Sequence, residues 1–260
     1  VLARLLQSPP GRDFRQIDAF PAGASMHDIA SALIFWFPAF LFSTTVHEAA
    51  HAWAALRGGD PTAWRAGQVS LSPFPHMKRS PLGMVVVPLL TSVTQGWTMG
   101  WASAPYDREW AAKYPRRAAW MAAAGPASNL LIALTAFLLL RAGLSLGIFG
   151  APAQATLDRL ADPALAHDPF GVAAFAARGL SVLCMLNCML AAFNMLPLPP
   201  LDGATVITLV LPKRAGEKWR DMVMMPGLSF AGLLLAWNVF PAFTRPMFDA
   251  LLGLLFPGKY

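Results

Sequence analysis

Two histidines four residues apart enclose a glutamate in His47-Glu48-Ala49-Ala50-His51, late in a long apolar run. On a helix, positions four apart stack one turn above another, so both imidazoles share a face. Glu48 projects beside them, within reach of a water that a metal would make acidic. That amounts to two of the three protein ligands of a catalytic zinc site, with its general base. A string this short can also arise by chance. Here, however, residues 34–45 ahead of it are nearly all apolar, and an unpaired carboxylate in hydrocarbon costs several kcal/mol. Ionisable groups inside a membrane are functional by default.

The composition supports that setting. Of 260 residues, 56% are hydrophobic and 13% charged, about half the charge share of a soluble domain, and the mean hydropathy is +0.48. The expected fold is an all-α polytopic membrane protein: a bundle of about four to five transmembrane helices, a re-entrant segment and a short membrane-associated β element. The net charge of +6 fits loops facing anionic lipid. No aromatic-basic cluster points to nucleic acid, and no motif points to a nucleotide. Cys184 and Cys188, one helical turn apart in an apolar run, suit packing better than a disulfide or a metal site.

Three regions are expected: a surface segment at 1–28, a catalytic core at 29–221, and C-terminal transmembrane and interfacial helices at 222–260. No cleavable signal is expected in 1–28, where arginines and aspartates are mixed. Spans are expected at about 30–57, with Pro38 a kink, at 119–140, 172–195 and 222–240, and a final amphipathic or half-spanning helix at 243–256. Residues 67–73 alternate polar and apolar, a strand pattern, and 154–160 could be a short amphipathic helix. Residues 82–98 either span or dip in and return. Segments 57–81, 102–117 and 203–221 hold four basic residues each, twelve of the chain's twenty. The positive-inside rule puts all three in the cytoplasm if 82–98 re-enters. The histidine pair then lies toward the cytoplasmic side of a multi-pass protein of the cell membrane.

A third ligand is needed. His27, His76 and His167 sit in loops or at interfaces. Asp202 is the outstanding acid: it follows an uncharged run, sits beside Pro197, Pro199 and Pro200, and precedes Gly203. Prolines there unwind the helix, which a membrane protein tolerates only around a cavity or within protein. Asp202 could instead cap the helix that follows.

Three blocks carry a resemblance: His47-Glu48-Ala49-Ala50-His51; Ala124-Gly125-Pro126-Ala127-Ser128-Asn129; and Asn194 through Gly203, with its proline break and Asp202. In this order they resemble the site-2 protease family of intramembrane zinc metalloproteases, in the compact prokaryotic form without PDZ or CBS modules. The resemblance implies one Zn2+ ion held by His47, His51 and Asp202, with Glu48 as base and acid. It further implies that Asn194 and Asn129 hold the substrate carbonyl or oxyanion; the alternative for each is an interhelical hydrogen bond. Ser72 stands where the family has Asn, and His76 is read as interfacial.

The activity implied is hydrolysis of peptide bonds in or next to the transmembrane segments of single-pass proteins, with the bilayer as surroundings. There is room for a regulatory membrane partner or a homo-oligomer. Val69, Ser70 and Leu71 could pair with an unwound substrate by strand addition. Ser43, Thr44 and Thr45 either line a water path or bond back to their own helix. The alternative function is a membrane zinc-binding protein without hydrolysis, a carrier or sensor, which would have no use for Glu48.

Overall fold

In the computed structural model, residues 25–164, 171–225 and 227–259 are described. Most of the expected surface segment, and His167, lie outside them.

The chain enters at Ser25, whose hydroxyl and the Asp28 carboxylate form a capping box at the start of α1 (Met26–Ser31). A π-helical turn, Ala32–Trp36, leads without a break into α2 (Phe37–Gly58), so that one helix runs from Met26 to Gly58. The π turn has a local cause. Pro38 has no N–H for the carbonyl four residues back, and the ladder shifts to the wider register, with Phe37 N–H reaching Ala32 O. The sequence pattern repeats at Pro88: a π turn, Leu82–Val86, precedes α5 (Val87–Gln95).

Gly59, at φ 96°, closes α2 in the left-handed region that favours glycine. The end is then tied down. Gly58 O accepts from Trp110 Nε1 and from Arg117 Nη1, each at 3.1 Å. Buried Asp60 accepts from the Thr62 N–H and hydroxyl in α3 (Thr62–Arg65) and from Asp107 N–H ahead of α6 (Arg108–Lys113).

Residues 67–72 form bends rather than the expected strand, and α4 (Pro73–Arg79) follows. Pro73 opens that helix at the position where its missing N–H costs nothing. Buried Gln68 and His76 hold the loop by bonds to Pro75 O and Ser70 O, each at 2.9 Å.

The stretch Leu82–Gln95 is apolar but short. At 1.5 Å per residue it covers about 21 Å, less than the hydrocarbon core of about 30 Å. The chain then doubles back on it. Ser92 and Thr98 share a hydroxyl bond of 2.7 Å, Met99 N–H reaches Thr91 Oγ1 at 3.0 Å, and Trp101 N–H reaches Gly83 O at 3.0 Å. Of the two readings open for 82–98, return fits and crossing does not.

The long helix α7 (Pro115–Ser145) packs along both α2 and α8 (Val172–Asn194). Trp36, Ala39 and Phe40 meet Val182 and Leu186 on one side of α8. On the other, Leu140, Cys184 and Met185 join Phe248 and Leu252 of α12 (Pro241–Leu255). Cys184 is buried in this cluster and Cys188 is partly buried, in line with the packing reading.

Between α7 and α8 a two-residue antiparallel pair forms, with Phe149 opposite Pro163 and Gly150 opposite Asp162. This is the β element of the described residues, and it lies far in sequence from 67–73. Residues 154–160 are turns with a Thr156–Arg159 bridge, not a helix. Asp158 anchors them to Ser31 and Arg178.

After α8 the chain breaks at the prolines and restarts as α9 (Gly203–Val206) and one 3-10 turn, Ile207–Leu209. The expected span at 222–240 is split: α10 (Lys213–Val223) and α11 (Leu228–Val239) meet at a 98° bend. Among the described residues, three helices are long and apolar enough to cross a membrane, Met26–Gly58, Pro115–Ser145 and Val172–Asn194; the bent pair is a fourth only if it counts as one span.

Candidate metal centre

His47 and His51 lie buried on one face of α2, with Nε2 atoms 2.9 Å apart. The loop after α8 folds back to set the Asp202 carboxylate against them, Oδ2 at 3.2 Å from His47 Nε2 and Oδ1 at 3.3 Å from His51 Nε2. Asp202 stands at the N-cap position of α9 but makes no side-chain cap bond. The capping alternative therefore does not account for it. Gly203 makes the fold-back possible: a Cβ there would meet the carbonyls of Met195 and Leu196.

Each imidazole is oriented from behind. His47 Nδ1 lies 2.6 Å from Asn129 Oδ1, and His51 Nδ1 lies 2.7 Å from Met121 O. These acceptors require the proton on Nδ1, which turns the Nε2 lone pairs inward. The Met121 carbonyl lies on α7 next to Ala122, whose own carbonyl loses its helical donor at Pro126. Asn129 is itself held: its Nδ2 donates to Asn187 Oδ1 at 2.8 Å, and Asn187 Nδ2 donates to Ser43 Oγ at 2.8 Å and to Leu183 O at 2.9 Å. A buried relay thus runs from α8 through α7 to His47 on α2.

The donor set fits a metal ion. Two imidazole lone pairs and a carboxylate converging at about 3 Å repel one another unless a cation lies among them. Ligands at the usual zinc distances of about 2.0–2.1 Å in a tetrahedron stand about 3.3 Å apart, close to the separations found. The space is kept open by Gly125, where a Cβ would collide with Nε2 of both histidines. Asp202 Oδ2 and the buried Glu48 Oε2 have no hydrogen-bond partner. Among the described residues, His47, His51 and Asp202 are the group of His, Cys, Asp or Glu that could hold a metal. The site is not sealed: the Asp202 side chain is 20% exposed, against 8% and 10% for the histidines.

The other anticipated residues are placed differently. Asn129 is fully buried with both ends of its amide engaged within the protein. Asn194 donates to Leu190 O of its own helix at 3.0 Å. Val69, Ser70 and Leu71 lie in the bend before α4, with Leu71 exposed. Thr44 bonds back to Phe40 O, Ser43 accepts from Asn187, and the buried Thr45 Oγ1 has no partner. Sequence reasoning passed over Asn187. Its signal is a lone amide in the middle of an apolar span, the kind of residue that membrane helices keep for a partner.

A helical membrane bundle with two histidines on one span, a carboxylate from an unwound segment and a free glutamate beside them defines a membrane-embedded metallohydrolase. The model of Peptidase family M50 matches residues 35–235, a stretch that contains every group just described. The chain belongs to peptidase family M50, the site-2 protease family, and is an intramembrane zinc metalloprotease. A Bacillus subtilis (strain 168) protein described as "Putative zinc metalloprotease YwhC" is 32% identical over 173 residues, covering 66% of this chain and 67% of that one. No solved structure matches.

Proposed function

We propose that this protein cuts peptide bonds in or next to the transmembrane segments of single-pass membrane proteins, from the end of the bundle where α2 stops. The observation that supports it best is the convergence of His47, His51 and Asp202 beside a buried, unpartnered Glu48. His47, His51 and Asp202 would hold zinc, which polarises a scissile carbonyl and makes a coordinated water acidic near neutral pH. Glu48 takes the water proton and delivers it to the leaving amine. Asn129 works through His47, holding its ring, and is a positioning residue.

A cavity of about 340 Å³ lined by Met195, Pro197, Gly203, Val206, Ile207, Leu209 and Val210 opens next to Asp202 in the chain. Its apolar wall suits the side chains of a membrane helix. A helical substrate must unwind before cleavage, because its carbonyls are paired. The bent segment 69–71 then offers a main-chain edge to the extended stretch, and Asn194, at the end of α8, is placed to turn from Leu190 O to a substrate carbonyl.

Glu48→Gln tests the reading. Zinc content should be unchanged by metal analysis, while cleavage of a reconstituted single-pass substrate falls by at least about a hundredfold, the usual contribution of a positioned acid-base group. Cleavage that persists in the variant overturns the role of Glu48. A wild-type protein that binds zinc and cuts no membrane protein would instead be the carrier or sensor.

A further inference from the structure

Two basic stretches about a hundred residues apart meet at one end of the bundle. Between the first turn of α7 and the 208–220 segment lies a cavity of about 450 Å³. Arg116, Arg117, Lys213 and Arg220 line it, against a single acid, Glu217. Arg117 is committed, donating to Gly58 O and lying 4.6 Å from the Tyr114 ring centroid. Among the described residues, Arg116, Lys213 and Arg220 form no ion pair. Four cations against one carboxylate leave the concavity with a net positive charge that favours an anion. Tyr114, at the N-cap of α7, makes no side-chain cap bond, so the first-turn N–H groups add to the attraction.

Depth and lining identify the anion. A helix of 31 residues is about 46 Å long, against a hydrocarbon core of about 30 Å, so its first turn stands among the headgroups. Leu209 and Leu211 share the wall with the cations. Close by in the chain, Val210 and, just after Arg220, Met222, Met224 and Met225 are exposed, apolar surface that a small ion would not use and an acyl chain would.

We propose that this cavity binds the phosphate headgroup of an anionic phospholipid. The bound lipid braces the Asp202 segment through α10. That helix carries Lys213 and Arg220, and between them Trp219, whose indole N–H donates to Ala204 O at 2.6 Å, two residues beyond Asp202. Gly125, against the histidines, lies nine residues along α7 from Arg116, about 14 Å deeper.

The test uses the full chain in neutral detergent and reads its unfolding midpoint during titration with dioctanoyl phosphatidylglycerol, dioctanoyl phosphatidylcholine or inorganic phosphate. A saturable rise with phosphatidylglycerol alone is expected. Lys213→Ala/Arg220→Ala should weaken that binding about thirtyfold, near fivefold for each cation, and Glu217→Gln should tighten it several-fold. An equal rise with phosphatidylcholine, or with inorganic phosphate at the same concentration, overturns the proposal. So does unchanged phosphatidylglycerol affinity in the double variant. Should that variant fail to fold, Glu217→Gln and Arg116→Ala decide in the same way, the first by tightening and the second by weakening. No arm measures cleavage, so the outcome is independent of the peptidase reading.

Discussion

At the scale of single residues, the site depends as much on what stands behind the ligands as on the ligands. His47 presents its Nε2 lone pair inward because Asn129 takes the Nδ1 proton, and Asn129 keeps its orientation because Asn187 takes its amide. Removing such a support usually costs 10–100-fold in metal affinity. Asn129→Ala should therefore lower zinc affinity by roughly that factor in chelator competition, while Asn129→Asp, which keeps an acceptor, should lose less. Equal affinity in all three proteins would assign His47 its orientation from elsewhere. His47, Glu48 and His51 were legible because a four-residue spacing encodes a helix face, and Asp202 because an acid beside three prolines has few structural uses. Asn129 was legible as a residue of interest, but its imidazole partner was not, because an amide in an apolar helix looks the same whether it meets a substrate or an imidazole. Gly125, in the same block of sequence, leaves room on α7 for the two imidazole rings of α2.

Among the elements, polar and apolar alternation misled over 67–73. Alternation over 67–73 suggested a strand because Gln68 and Ser70 fall on one side of it. In fact Gln68 is buried for its bond to Pro75 O, Ser70 O serves His76, and Pro73 starts a helix. Local bonds of this kind compete with strand pairing and leave no periodic trace. The basic flanks of 82–98 left two readings open, and the short helix that doubles back fits the return. That return relies on backbone contact, since a Cβ on Gly83 would collide with Trp101 O, and one on Gly100 with Gly83 O. Gly83→Ala should accordingly loosen the returning segment. Hydrogen exchange at residues 98–101 should rise by at least about tenfold, as losing about 1.4 kcal/mol of local stability would produce, with zinc binding retained. Unaltered exchange would show that the segment holds its place without that contact.

For the whole molecule, the two ends of the bundle are each fastened by one carboxylate. At the end near the basic cavity, burial alone would raise the pKa of Asp60. The hydrogen bonds from the Thr62 hydroxyl, Asp107 N–H and Thr62 N–H, with the Arg65 charge, outweigh it and hold the group below the ordinary 3.8. At the far end, burial likewise disfavours the Asp158 charge, and Thr156, Arg178 and Ser31 outweigh it, again to a value below 3.8. A carboxylate with a depressed folded pKa binds fewer protons folded than unfolded at intermediate pH. Its stabilising contribution is complete above the unfolded pKa and is lost as pH falls through the folded one. Both fasteners should therefore be intact at pH 5 and above and weaken together below about pH 4. Zinc loss also occurs in acid, so the comparison is made on metal-free protein in detergent. Asp60→Asn/Asp158→Asn should unfold several degrees lower than wild type at pH 7, and the two should converge toward pH 3. A gap that stays constant from pH 7 to pH 3 would mean that these aspartates act through shape and hydrogen bonding alone, without their charge.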